Sequence, residues 1–132
     1  MLTQCAIINY MIPAVYNTKK SGVLHFIIYK EKSEYAAACL NFDLVEYGKN
    51  PEKLKKSIYE AATSYLKAVR KKKLSDKYLN LPVDKKYLDI LEKISIDKLF
   101  RKLATKKRYR HQELSTFSFT NQPYSDNSLS YL

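Results

Sequence analysis

The sequence predicts an α+β fold in which a three-stranded antiparallel sheet packs on one helix, with a short extra strand after that helix. A β-rich apolar run and an Ala-rich run that flank a polar turn predict a hairpin. A long segment with apolar residues at spacings of three and four predicts the helix. The chain of 132 residues is long enough for one compact domain with a short appendage, and it needs no disulfide or metal to form a core.

The predicted strands come first along the chain. Val23–Tyr29 is a β-rich apolar run, and it predicts the first strand. After the polar turn Lys30–Ser33, the segment Glu34–Leu40 predicts a second strand that pairs with the first as an antiparallel hairpin. A bend then leads to a third, shorter strand at Leu44–Tyr47, which Gly48 ends.

The clearest pattern predicts a helix from Pro51 to about Lys73. Asn50 is a suitable N-cap because its side chain accepts backbone N–H groups. Pro51 is favourable at the first helical position, where its missing N–H has no partner in any case. The predicted apolar stripe consists of Leu54, Ile58, Ala61, Ala62, Tyr65, Leu66 and Val69.

The patterns after this helix are less regular. Tyr78–Val83 predicts the short extra strand, at an edge of the sheet because Pro82 is tolerated only there. Residues from about 85 to 107 predict either one kinked helix or two helices joined by a short turn. The predicted organisation is an N-terminal extension over 1–22, an α+β domain over 23–83, a basic helical extension over 84–112 and a polar tail over 113–132, either flexible or forming one added strand.

The net charge of +11 is concentrated in the second half of the chain. Residues 85–112 contain ten Lys or Arg and three Asp or Glu, whereas residues 1–50 contain five and four. Two dense basic clusters lie at Arg70–Lys73 and at 106–110. Such clusters bind phosphates or acidic proteins, or they are the solvated ends of helices, where cations are favoured.

Several classes of function lack the residues they need. With two glycines, the chain has no GxGxxG or Walker-type loop. Cys5 and Cys39 form no CxxC pair and have no histidine cluster, so we predict no zinc site and two reduced thiols. No run reaches the roughly 20 apolar residues of a membrane span, and no basic segment precedes the apolar stretch Cys5–Tyr16. We therefore expect a soluble, cytoplasmic protein, with Met11 as an alternative start.

The acidic and histidine residues form no catalytic pattern. A nuclease of the RNase H type needs several carboxylates around divalent metal ions. Asp43 is predicted to be a turn residue, and Glu46 is predicted to face solvent, because it alternates with apolar neighbours. His25 and His111 are far apart in sequence and do not suggest a general acid and base. We expect no enzymatic activity and no cofactor.

The segment from Glu34 to Glu52, with the helix that follows it, resembles the HicB-like antitoxin family. The resemblance depends on a joint spacing rather than on one diagnostic residue, and it covers about residues 23–83, just under half of the chain. The positions that carry it are Cys39, Asp43, Gly48, Pro51 and the pair Tyr65-Leu66.

The resemblance implies a partly degraded RNase H-like β-β-β-α-β domain, commonly dimeric. In this family the domain covers the active surface of a small HicA-type toxin, a ribonuclease that cleaves mRNA. It implies a partner-binding role for Asp43, Glu46 and Tyr47. The helix is lysine-rich here, where the family helix is often acidic, so a different partner is the alternative.

A second hypothesis is nucleic-acid binding through the basic C-terminal region. Many HicB-like proteins bind their own promoter DNA with an added C-terminal domain, although this region matches no known DNA-binding signature. Phe100 and Tyr109 are available to stack on bases. The predicted phosphate-binding residues are Arg101, Lys102, Lys106, Lys107, Arg108 and Arg110.

Overall fold

The computed structural model describes residues 15–103 and 117–125, with side chains over 15–96 and 119–125. The strands form one antiparallel sheet of order β3-β2-β1-β4. This sheet and two helices confirm the predicted α+β class. The elements are β1 (Gly22–Glu31), β2 (Glu34–Cys39), β3 (Leu44–Gly48), α1 (Pro51–Lys71), a 3-10 helix (Asp76–Leu79), α2 (Lys85–Leu103) and β4 (Phe117–Tyr124).

β1 and β2 form the predicted antiparallel hairpin. Their pairing extends to Glu31 opposite Glu34, which leaves a two-residue turn. Lys32 in this turn has a φ of 56°, in the left-handed region that such hairpin turns require. β3 returns beside β2, with Tyr47 opposite Ala36. Because side chains alternate along each strand, one group of apolar side chains projects from each face of the sheet.

α1 packs on one face of the sheet and confirms the predicted helix to within two residues at its end. The Asn50 side chain caps the helix, since its Oδ1 accepts the N–H groups of Glu52 (3.0 Å) and Lys53 (3.2 Å). The buried stripe packs against apolar side chains of β1 and β2. Its members are Leu54, Ile58, Ala62, Leu66 and Val69.

α1 ends in a Schellman motif in which a lysine holds the left-handed position. The N–H of Leu74 donates to the carbonyl of Val69 (3.0 Å), and the N–H of Lys73 donates to that of Arg70 (3.2 Å). Lys73 has a φ of 52°. Val69 and Leu74 both pack in the core beneath α1, which supplies the apolar contact that accompanies this motif.

The segment after α1 is not a strand, so the predicted extra strand at Tyr78–Val83 is wrong. Asp76–Leu79 forms a 3-10 helix that buries Leu79 completely. Asn17 and Asn80 then bind each other: the Asn17 N–H donates to Asn80 Oδ1 (2.8 Å), and Asn80 Nδ2 donates to the Asn17 carbonyl (2.8 Å). These bonds attach the segment to the chain that enters β1 rather than to a sheet edge.

α2 covers the opposite face of the sheet as one continuous helix over Lys85–Leu103. The sheet therefore lies between two helices, and α2 shares a core with β1 and β2. Neither helix in the described part of the chain has the length and apolar character that a membrane span requires. The side chains of this second core are Ile27, Tyr29, Ala36, Ala38, Leu40, Tyr87, Ile90, Leu91 and Ile94.

β4 pairs antiparallel with β1, from Gly22 opposite Tyr124 to Tyr29 opposite Phe117. Residues 113–132 were predicted to be either a flexible tail or one added strand, and the added strand is confirmed over Phe117–Tyr124. The fourth strand follows α2 rather than α1, which differs from the β-β-β-α-β order that the resemblance implies.

Candidate protein-binding edge

β3 is an edge strand. Among the described residues only β2 pairs with it, so the backbone N–H and C=O groups on its other side are unpaired within the sheet. An edge of this kind accepts an added strand from another chain. The sequence of β3 contains no proline and no lysine, two residue types that commonly block such pairing.

Two large apolar side chains are exposed on β3. Val45 is 40% exposed and Tyr47 is 51% exposed. They lie opposite Ala38 and Ala36, on the face of the sheet that α2 covers. α2 buries the two alanines and leaves the β3 side chains open to solvent. We call Asp43, Val45 and Tyr47 the β3 edge patch.

Asp43 precedes β3 in the turn where the sequence places it. Its side chain is exposed, and its φ of 53° is in the left-handed region, which aspartate tolerates better than most residues. Asp43 therefore shapes the turn that sets the entry of β3. Its carboxylate adds a negative charge at one end of the β3 edge patch.

Glu46 faces α1, so the prediction that it faces solvent is wrong. It lies opposite Ala37, a residue of the core beneath α1. One carboxylate oxygen accepts the hydroxyl of Ser57 (3.0 Å), and the other is buried with no hydrogen-bond partner among the described residues. Glu46 is thus a contact between β3 and α1. The side chain that is exposed together with Tyr47 is therefore that of Val45 and not that of Glu46.

A group of tyrosines and one lysine lies on the same side of the sheet as the β3 edge patch. Lys86 Nζ lies 5.7 Å from the ring centroid of Tyr29 and 3.6 Å from a carboxylate oxygen of Glu31. Burial raises the pKa of Tyr87 to about 12, with Tyr29, Asp43 and Tyr47 acting in the same direction. The Tyr87 hydroxyl is therefore neutral at physiological pH, and the Lys86 ammonium lies beside the Glu31 carboxylate on this side of the sheet.

The predicted nucleic-acid-binding residues lie at or beyond the end of α2. Arg101 and Lys102 belong to α2, but their side chains are outside the described set. The other four lie outside the described residues altogether. They are Lys106, Lys107, Arg108 and Arg110.

The titratable side chains that the structure describes do not gather into a metal site. No group of three or more His, Cys, Asp or Glu among residues 15–103 and 117–125 is placed to hold a metal ion. Burial raises the pKa of Cys39 to about 12, so its thiol stays protonated and unreactive at neutral pH. His25 is buried between β4 and the second core, where it binds Asn121.

Comparisons with known proteins identify no relative. No family model matches the chain, and no curated protein and no solved structure matches it.

Proposed function

We propose that this chain is an antitoxin-type protein, similar to the HicB-like family, that binds and sequesters a small protein partner through β3. The expected partner is a HicA-type toxin, a ribonuclease that cleaves mRNA. The observation that supports this most directly is the unpaired edge of β3, with Val45 and Tyr47 exposed beside it. The spacing of Cys39, Asp43 and Gly48 along the chain supports it independently.

Binding at this edge combines two kinds of contact. The backbone of β3 pairs with an extended segment of the partner, which adds a fifth strand to the sheet beside β3. Val45 and Tyr47 then supply apolar anchors, and tyrosine is among the residues that most often dominate binding energy at interfaces. Binding at β3 would inhibit the partner ribonuclease, because its RNA-binding surface would be covered by the sheet. The chain itself performs no chemistry in this proposal.

The first experiment is purification of the tagged protein expressed from its native locus. Masses of the co-purifying species are read before and after a nuclease wash. A small protein that survives the wash and whose ribonuclease activity the tagged chain suppresses supports the proposal. Nucleic acid as the sole partner, lost on digestion, would contradict it.

A matched pair of variants tests whether β3 is the binding surface. Val45→Lys with Tyr47→Lys places two charges beside the edge, which we expect to weaken partner binding at least tenfold. The control is Val15→Lys with Tyr16→Lys, because these two residues are the same types and are similarly exposed (44% and 64%). Calorimetric titration measures both. Equal affinities for the two variants would exclude β3 as the interface.

Duplex DNA binding by the basic C-terminal region is the alternative function. The excess of seven positive charges over residues 85–112 favours it. Replacement of Lys106, Lys107, Arg108 and Arg110 by glutamine should lower the salt dependence of DNA binding by about 0.9 per lost phosphate contact. An unchanged salt dependence would remove this region from consideration.

The proposal also includes a homodimer. The outer edge of β4 has no paired strand among the described residues, so the sheet has a second side at which another copy can add. Sedimentation equilibrium of the purified chain measures the mass of the particle. A monomer at tens of micromolar would exclude a stable dimer.

A further inference from the structure

Six exposed lysines gather around the C-terminal end of α1. Four of them lie near the end of the helix or just after it, one lies in the 3-10 helix that follows, and one comes from the chain before β1. We call this group the basic pole. Its members are Lys20, Lys67, Lys71, Lys72, Lys73 and Lys77.

Hydrogen bonds hold the three segments of the basic pole together. The guanidinium Nε of Arg70 on α1 donates to the carbonyl of Lys19 (2.5 Å). Lys19 Nζ donates in turn to the carbonyl of Leu74 (2.7 Å) and pairs with Asp76 of the 3-10 helix (2.9 Å). The chain before β1, the end of α1 and the 3-10 helix therefore form one surface, which the sequence cluster Arg70–Lys73 does not reveal.

Structural requirements account for only part of this charge. The helix macrodipole is equivalent to about half an elementary charge at the C-terminus, enough to favour one or two cations. Asp76 belongs to the same surface, and Lys19 already pairs with its carboxylate (2.9 Å). None of the six lysines forms an ion pair with a described residue. Six like charges kept this close repel one another, so a fold that gathers them gains from an anionic partner.

We propose that the basic pole binds the phosphate backbone of duplex DNA. Residues 67–71 of α1 rise about 6 Å along the helix axis. Duplex DNA carries one negative charge per ~1.7 Å of its axis when both strands are counted, so this length corresponds to about three or four phosphates, close to the four lysines over residues 67–73. Lysines act here as mobile point charges, so the pole holds DNA without reading its sequence. It contains no residue of the β3 edge patch and does not depend on the protein partner.

The test compares two fourfold variants of the full chain by fluorescence anisotropy with a labelled random-sequence duplex. The pole variant carries Lys67→Gln, Lys71→Gln, Lys72→Gln and Lys73→Gln. The control removes the same charge from exposed lysines elsewhere, and glutamine keeps a similar helix propensity. The control substitutions are Lys30→Gln, Lys49→Gln, Lys53→Gln and Lys56→Gln. Thermal melting first establishes that both variants fold.

The proposal predicts a difference in salt dependence. Between about 50 and 200 mM salt, the slope of log K against log salt should fall in magnitude by about 3 to 4 in the pole variant, and affinity at about 100 mM should fall at least tenfold. The control should change by less than a third of that. Equal losses in both variants, or no duplex binding by the native chain at 50 mM, would overturn the proposal. Competition by poly-glutamate as effective as that by unlabelled DNA of equal charge would overturn it in favour of an acidic protein.

Discussion

Among single side chains, His25 connects the protonation state of the protein to the attachment of its fourth strand. His25 is only 2% exposed on β1. Its Nδ1 donates to Asn121 Oδ1 of β4 over 2.6 Å, and its ring stacks on Phe119 with the centroids 5.9 Å apart. Burial lowers the pKa of this imidazole below 6.5, and the Asn121 bond offsets only part of that effect. The folded protein therefore holds His25 neutral.

Acidification should destabilise the fold through His25. Because its pKa is lower in the folded state, the unfolded chain binds the proton more readily, and stability falls as pH decreases from about 6.5 towards the folded pKa. Urea denaturation at several pH values between about 5 and 8 measures this slope. His25→Gln should remove that part of the slope, whereas His111→Gln should retain it. An identical slope in His25→Gln would show that other groups cause the pH dependence.

A charge introduced at Leu54 should prevent folding. Leu54 is 5% exposed in the core beneath α1, so the carboxylate of Leu54→Asp would be buried without a partner. The cost is several kcal/mol, against a total stability of about 5–15 kcal/mol for a domain. Circular dichroism melting tests this, with Lys53→Asp at the exposed adjacent position as the control. A cooperative transition near the native midpoint for Leu54→Asp would contradict the register of α1.

The sequence placed Asp43 and Tyr47 correctly in the turn and strand but assigned Glu46 to the wrong face. Residue chemistry alone favours Val45 and Tyr47 as the inward pair, with Glu46 outward. The structure reverses this because α1 reaches over β3 while α2 does not. Which face of an edge strand is covered depends on the tertiary position of the helices, and no local pattern in Leu44–Gly48 contains that information.

Among the elements, the end of α1 contains conformational strain that one substitution can relieve. Lys73 holds the left-handed position of the Schellman motif, which costs a residue with a Cβ roughly 1–2 kcal/mol. Lys73→Gly should therefore stabilise the protein by about 0.5–1 kcal/mol, after the entropy of glycine in the unfolded chain is counted. Guanidinium denaturation measures the change. Lys72→Gly, at a right-handed position with φ of −85°, should destabilise instead. A loss of stability in both variants would argue against this account.

Elements with local signatures were predicted from the sequence, and those defined by distant contacts were not. β1, β2 and α1 follow from apolar runs, a polar turn and the Asn50-Pro51 start. The 3-10 helix was missed because its stability comes from Asn17, which lies 63 residues before Asn80. β4 remained one of two alternatives because its ladder to β1 joins residues such as His25 and Asn121, 96 positions apart.

The two cores of the molecule share one sheet, so they should unfold together. Ile58 on α1 and Leu91 on α2 are both fully buried, against opposite faces of the sheet. We expect Ile58→Ala and Leu91→Ala each to cost about 2–5 kcal/mol and their effects to add within about 0.5 kcal/mol. Calorimetry of both single variants and the double variant measures this. A second transition, shifted only by Leu91→Ala, would show that α2 is the separate extension that the sequence suggested.

The pairing of β1 with β4 also means that one edge of β1 stays unpaired while the rest of the chain is translated. On the ribosome, β1 can form its hairpin with β2 almost at once, but its other edge must wait for residues near Asn121. At about 5–20 residues per second, the 96 positions between them take roughly 5–20 s to translate. During that interval a central strand of the finished sheet is an open edge, available to neighbouring nascent chains on the same message. Slower translation of the second half of the chain should therefore lower the yield of monodisperse protein, and faster translation should raise it.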